Sequence, residues 1–185
     1  MSLALLPLLI PDVLCVLVCG IATVTDLRSF RIPNWLTIPA IVAGLVLNPL
    51  LFGLTHGSRG FQAALFSSIA GCLLLGLVFI ALGVINFVGM GDAKLMAAVG
   101  ALLGWPTALY ALAYVTIAGG VLAIVYAGIR GQLGTVFSNL FQLSKRIVKK
   151  SDEAVTLHRI PYAVAIFIGA TWAALIKYFP FLRLP

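Results

Sequence analysis

The chain predicts an all-α polytopic membrane protein, and three observations carry that prediction. Of its 185 residues 62% are hydrophobic and 9% charged, where a soluble domain is about half apolar and a quarter charged. Mean hydropathy is +1.15. The apolar residues gather into stretches of helix length, divided by short turns of Gly, Pro, Asn and Arg, and roughly 20 such residues cross a bilayer as a helix. Six spans fill residues 1–185 as a single domain, with no length left for a separate soluble one.

The first span covers about residues 6 to 27. It lacks the basic start and the small-residue cleavage site of a signal peptide, and a second apolar stretch follows closely, so it is read as retained. Asp12 follows Pro11 and is expected near one end, as a helix-start residue at the surface, because a carboxylate at the bilayer centre is costly. Arg28, Arg31 and Pro33 make the turn into the second span, residues 35 to 55, which is expected to break or bend at Pro39 and at Asn48-Pro49. His56-Gly57-Ser58-Arg59-Gly60 reads as a short polar turn with a solvated His56.

The third span runs from 61 to about 86. Gly89-Met90-Gly91-Asp92 then interrupts the helical run before an apolar segment, Ala93 to Leu103, that stops at Gly104-Trp105-Pro106. Eleven residues make only about 17 Å of helix, so this fourth helix is expected to be held among its neighbours. The fifth span is residues 107 to 129 and the sixth 161 to 180. Between them Leu133, Val136, Phe137, Leu140, Ser144 and Ile147 recur at steps of three and four, followed by Lys145, Arg146, Lys149 and Lys150. That pattern predicts a basic amphipathic helix over 131–150 on the membrane surface, the alternative being a solvated connection.

Charge sets the orientation. Arg28, Arg31, Lys94, Arg130, Lys145, Arg146, Lys149, Lys150 and Arg159 fall on one side, nine of the twelve basic residues; Arg59, Lys177 and Arg183 fall on the other. The richer side is expected to be cytoplasmic, with both termini outside. The net charge of +7 therefore reports topology rather than nucleic-acid binding. Cys15, Cys19 and Cys72 lie in apolar stretches and read as small core residues; no Cys-x-x-Cys pair suggests zinc.

With five acidic residues in the chain, the position of each carries weight. Asp26, ending the first span, and Asp92, opening the fourth, emerge at the same cytoplasmic face. Two carboxylates in one site cannot both ionise freely, so one holds a proton while the other is charged, the arrangement that activates a water and protonates a leaving group in aspartic proteases. Gly89 and Gly91 allow a sharp turn and the close approach of an extended peptide. Asp92 reads equally as a helix cap, and Asp26 as a cap or a partner for Arg28.

Gly89-Met90-Gly91-Asp92-Ala93-Lys94-Leu95-Met96 resembles the GxGD motif of membrane aspartic peptidases, in the form used by type IV prepilin peptidases. Asp26 with Ile32-Pro33-Asn34 is similar to the first catalytic aspartate of that family and its I-P-N element. Ile160-Pro161-Tyr162-Ala163 with Gly169-Ala170 is similar to the stretch opening its last helix. The resemblance covers essentially the whole chain, with three motifs in family order.

It implies catalytic aspartates at Asp26 and Asp92, backbone support from Gly89, Gly91 and Lys94, and substrate or structural contacts at Pro33, Asn34, Pro161 and Tyr162. The implied activity is an intramembrane endopeptidase of the bacterial inner membrane, acting at the cytoplasmic face with no metal or cofactor. Its partners would be a type IV prepilin, whose short basic leader it removes, and membrane lipid, not nucleic acid. Long family members carry an N-terminal region with paired Cys-x-x-Cys motifs and methylate the new N-terminus; this chain starts in its first span. It resembles the short peptidases of tight-adherence (Flp) pili, which implies cleavage without N-methylation. Preflagellin-type peptidases share the short architecture. A transporter with ion-binding acids or a non-catalytic assembly partner are rival classes; a transporter would hold its acids near the midplane, whereas hydropathy puts these near one face.

Overall fold

The computed structural model describes residues 6–85, 87–129 and 162–179, and among these every regular element is an α-helix: α1 (Leu6–Ser29), α2 (Asn34–Val84), α3 (Met90–Leu103), α4 (Thr107–Ile129) and α5 (Ala163–Ile176). The runs Leu9–Ser29, Asn34–Val84 and Thr107–Tyr126 are long and apolar enough to cross a membrane. Their outward faces show Leu17, Phe66, Leu77 and Ile124 to the surroundings, a large-apolar exterior that water would penalise and lipid does not.

At 51 residues, α2 would reach about 76 Å if straight, more than twice a hydrocarbon core. It folds back instead. Gly57 leaves the helix at φ 68°, ψ −158°, a left-handed conformation open to glycine. Asn48 Nδ2 lies 2.9 Å from Ser68 Oγ, 20 residues further on; a continuous helix would hold these about 30 Å apart. The run is therefore a hairpin with arms 34–56 and 58–84.

Of the break or bend expected at Pro39 and Asn48-Pro49, no break occurs, since helix continues through both prolines. Asn48 ends no helix: its amide sits 2.9 Å from the carbonyl of Ala101 and 3.0 Å from that of Leu102, carbonyls in the last turn of α3 with no intrahelical donor of their own. The polar residues 56–60 do turn the chain, with Gly57 as the reversal.

Between the arms runs α3, with Leu95, Met96, Ala98 and Val99 wholly buried. Fourteen residues of helix are too short to span a bilayer alone, and here neighbours enclose them. Contact is backbone to backbone: a methyl on Gly44 would lie 2.6 Å from the Ala101 carbonyl carbon, so a side chain there would force the first arm away. The helix starts at Met90, three residues before the expected Ala93, which puts Asp92 inside its first turn. α4 occupies the expected residues 107–129.

α1 packs its face of Cys15, Val18, Cys19 and Ala22 inward, and all three cysteines are free. Asp12 overturns its expected reading as a surface helix-start residue. It lies inside α1, only 3% exposed, where Lys177 Nζ donates to its Oδ1 at 2.6 Å and the Tyr178 hydroxyl to its Oδ2 at 3.1 Å. A cation just beyond α5 makes burial of the acid tolerable, a partner no local pattern announces. The amphipathic helix expected over 131–150, and the basic residues assigned to it, lie outside the described residues, as does Pro161.

Candidate active site

The end of α1 with its turn into α2, the start of α3 and the start of α5 meet at one end of the bundle. α1 closes with Phe30 in the left-handed region at φ 50°, its N–H donating to the Asp26 carbonyl at 2.8 Å, so Asp26 sits in the last turn. Pro33 is extended at φ −74°, ψ 142° and precedes the first residue of α2, Asn34. Its carbonyl accepts from the N–H groups of Leu36 and Thr37 at 3.2 and 3.4 Å. The Ile32-Pro33-Asn34 element thus serves as a tight hinge that turns the second span back from the first.

Asp26 is buried, 8% exposed, and its Oδ2 accepts from the N–H of Ala163 at 3.4 Å. That N–H is one of the unpaired donors at the start of α5, where a carboxylate is favoured. One turn earlier, Thr23 Oγ1 donates to the Ala163 carbonyl at 3.1 Å. Two bonds therefore clamp the opening of α5 to the end of α1.

Asp92 stands three residues after Gly89, the N-cap of α3, and its Oδ2 accepts from the Gly89 N–H at 3.2 Å. This is the reaching-back half of a capping box; glycine has no side chain to supply the other half. Capping and chemistry are not exclusive, because a carboxylate has two oxygens. In Asp26 as in Asp92 one oxygen takes a backbone N–H, and among the described residues neither second oxygen has a hydrogen-bond partner.

The two carboxylates are near enough that the Asp26 charge acts directly on Asp92. The hydroxyl of Tyr162 in turn feels the charge of Asp92. Tyr162 is the N-cap of α5, with its ring 6.2 Å from that of Phe79 and its hydroxyl against Gly119, where a methyl would lie 2.6 Å away. It thus directly precedes Ala163, the residue bonded to Asp26, and packs on α2 and α4.

The turn holding Asp26 and the helix holding Asp92 are joined twice. Lys94 Nζ donates to Asn34 Oδ1 at 2.9 Å, and a methyl on Gly91 would come within 3.2 Å of Ile32 Cβ. Lys94 is therefore a cross-link to Asn34. Of the sequence-derived site residues, Asp26, Pro33, Asn34, Gly89, Gly91, Asp92, Lys94 and Tyr162 gather at this end. Thr23, Phe79 and Gly119 join them unannounced, through contacts between residues far apart in the chain. Among the described residues, no three His, Cys, Asp or Glu side chains form a metal-ligand group.

Set against known proteins, this end of the bundle has counterparts. The model of the type IV leader peptidase family matches residues 13–124, a stretch that contains Asp26 and Asp92 and ends before Tyr162. A Burkholderia pseudomallei prepilin leader peptidase/N-methyltransferase is 37% identical over 103 residues, 54% of this chain and 32% of that protein. One from Pectobacterium carotovorum is 30% identical over 113 residues, 60% and 39% of the two chains. An Aeromonas hydrophila protein of the same name is 36% identical over 86 residues, 45% and 28%. The chain thus matches about a third of the length of these relatives. No solved structure matches it.

Proposed function

The chain belongs to the type IV leader peptidase family, and from that premise we propose that it is an aspartic endopeptidase removing the leader of a type IV prepilin. The observation that carries the proposal is the convergence of Asp26 and Asp92, each with one oxygen tied to a backbone N–H and the other untied among the described residues, with the Asp26 charge acting on Asp92.

Such a pair holds one proton between two acids. The ionised member takes a proton from a water as its oxygen attacks the scissile carbonyl carbon, and the protonated member gives its proton to the carbonyl oxygen. A tetrahedral diol results. Its collapse returns a proton to the departing amide nitrogen and breaks the C–N bond, leaving a carboxyl-ended leader and a pilin with a free amino terminus. Gly89 keeps the start of α3 free of a side chain beside Asp92, and Gly91 lets Ile32 pack closely on the same turn; an extended peptide would lie alongside, next to Ile32-Pro33-Asn34 and Tyr162.

In finer detail we read the two arms of α2 as separate spans, which with α1, α3, α4 and α5 makes six, Gly89-Met90-Gly91-Asp92 opening the fourth. The aspartate end faces the cytoplasm of a bacterial inner membrane, where basic residues meet anionic lipid. The substrate is a Flp-type prepilin, cleaved without N-methylation; the sequence resemblance to short peptidases supports this choice.

Co-expression with a Flp-type prepilin tests the reading by mass. Leader loss with the native chain, abolished by Asp26→Ala and by Asp92→Ala while both variants accumulate in the membrane, is the expected result. Cleavage that persists in either variant would remove the two-aspartate mechanism. A product heavier by one methyl group would remove the no-methylation assignment.

A further inference from the structure

At the end of the bundle opposite the aspartates, a cavity of about 780 Å³ opens between the α2 hairpin, the end of α3, the start of α4 and the end of α5. Its position follows from the topology: Gly57, where α2 reverses, and Gly104, where α3 ends, both belong to this end. The walls carry Asn48, Ser67, Thr107 and Tyr110 along with three basic side chains, His56, Arg59 and Lys177.

The cations are unequally served. Lys177 is neutralised by Asp12 in the one ion pair found among the described residues, and it also donates to the Leu103 carbonyl at 3.3 Å. Arg59 has no acidic partner among those residues. His56 turns its Nδ1 to Thr55 Oγ1 at 2.7 Å and lies stacked on Phe52 at 5.8 Å, with no partner for Nε2 among the described residues. The described acids other than Asp12 are Asp26 and Asp92, both at the far end. A cavity of mixed apolar and polar lining, with an imidazole held on Phe52 and a guanidinium that has no acidic partner among the described residues, therefore lies where the helices stop.

We infer that this cavity binds the headgroup of a net-anionic phospholipid, its phosphate held by Arg59 and its polar remainder facing the Ser67 and Asn48 wall. A guanidinium grips a phosphate through two parallel N–H bonds. The choline of a zwitterionic lipid would be brought beside the Arg59 charge, so the cavity discriminates by charge. Trp105, half exposed on the cavity rim, is the residue type that settles at headgroup level, and the apolar outer faces of the arms would take the acyl chains. This site is separate from the proposed peptidase centre and does not depend on that assignment.

The test uses the full chain in nanodiscs holding equal phosphatidylglycerol and phosphatidylcholine, with retained lipid read by native mass spectrometry. The native chain is expected to keep phosphatidylglycerol in roughly tenfold preference, the weight of one charge-assisted contact. Arg59→Gln should lose the part of that preference that the cavity supplies, with an unchanged melting temperature in phosphatidylcholine discs, Arg59→Lys should keep some of that part, and Arg28→Gln, at the opposite end, should leave the Arg59-dependent part intact. Equal retention of both lipids by the native chain, or undiminished preference in Arg59→Gln, would overturn the inference. Displacement of the lipid by millimolar inorganic phosphate would also overturn it, assigning the cavity to a free anion.

Discussion

α1 carries a buried acid near each end, and the two meet opposite partners. Asp12 finds Lys177 and the Tyr178 hydroxyl; Asp26, 14 residues or about 21 Å along the same helix, finds a backbone N–H and a second acid. The first carboxylate is neutralised, with both oxygens occupied. The second keeps an untied oxygen among the described residues and a like charge nearby. One residue type on one helix thus becomes a clasp at one end and a reactive pair at the other, and the partner decides which.

Importing the logic of the clasp into the pair should have the largest effect. Asp92→Lys would set a cation beside Asp26, so the variant should accumulate, melting slightly lower for want of the bond to the Gly89 N–H, while leader cleavage falls at least about 1000-fold, since no proton-sharing pair remains. Mass analysis of co-expressed prepilin reads the loss. Cleavage within about tenfold of the native rate would show that Asp92 is not part of the chemistry.

The clasp itself is broken by Asp12→Ala, which leaves Lys177 buried without its counter-charge. A cost of about 3–5 kcal/mol is expected, read as a lower unfolding midpoint in detergent. Changing both partners, Asp12→Leu with Lys177→Met, should recover most of it, because paired apolar side chains replace a buried ion pair at little cost. Cleavage per folded molecule should hardly change. A double variant as unstable as Asp12→Ala would mean that the pair is not what holds this end.

Smaller effects sharpen the geometry of the reactive end. In Gly91→Ala the new methyl must fit 3.2 Å from Ile32 Cβ, displacing the hinge that follows Asp26; a cleavage rate several-fold lower with a nearly native melting temperature is expected. Lys94→Met removes the exposed bond to Asn34 and should cost about 0.5–1.5 kcal/mol. A double-mutant cycle with Asn34→Ala isolates that coupling, and additive losses would show that the two ends of the bond act independently.

Most of this architecture was legible where its signal is local. Apolar runs and turn residues located α1, α4 and the short α3, and the Gly89-Met90-Gly91-Asp92 stretch marked a carboxylate placed by a turn. Signals that depend on packing misled or stayed silent. Pro39 and Pro49 read as breaks or bends, yet the helix runs through both without a break. Asp12 and Lys177 are 165 residues apart in the chain, so neither predicts the other, and the bond from Ala163 to Asp26 spans 137 residues. The charge count placed Asp26 and Asp92 on one face, but their connection through Ile32, Asn34 and Lys94 is a fact of tertiary structure.

The central claim is that Asp26 and Asp92 act as one unit, and the direct measurement is prepilin cleavage by Asp26→Asn, Asp92→Asn and the double variant at matched membrane levels. Groups that work as a unit fail together, so each single change should lower the rate as far as both. Losses that multiply in the double variant, or a single variant that keeps substantial activity, would contradict the pair.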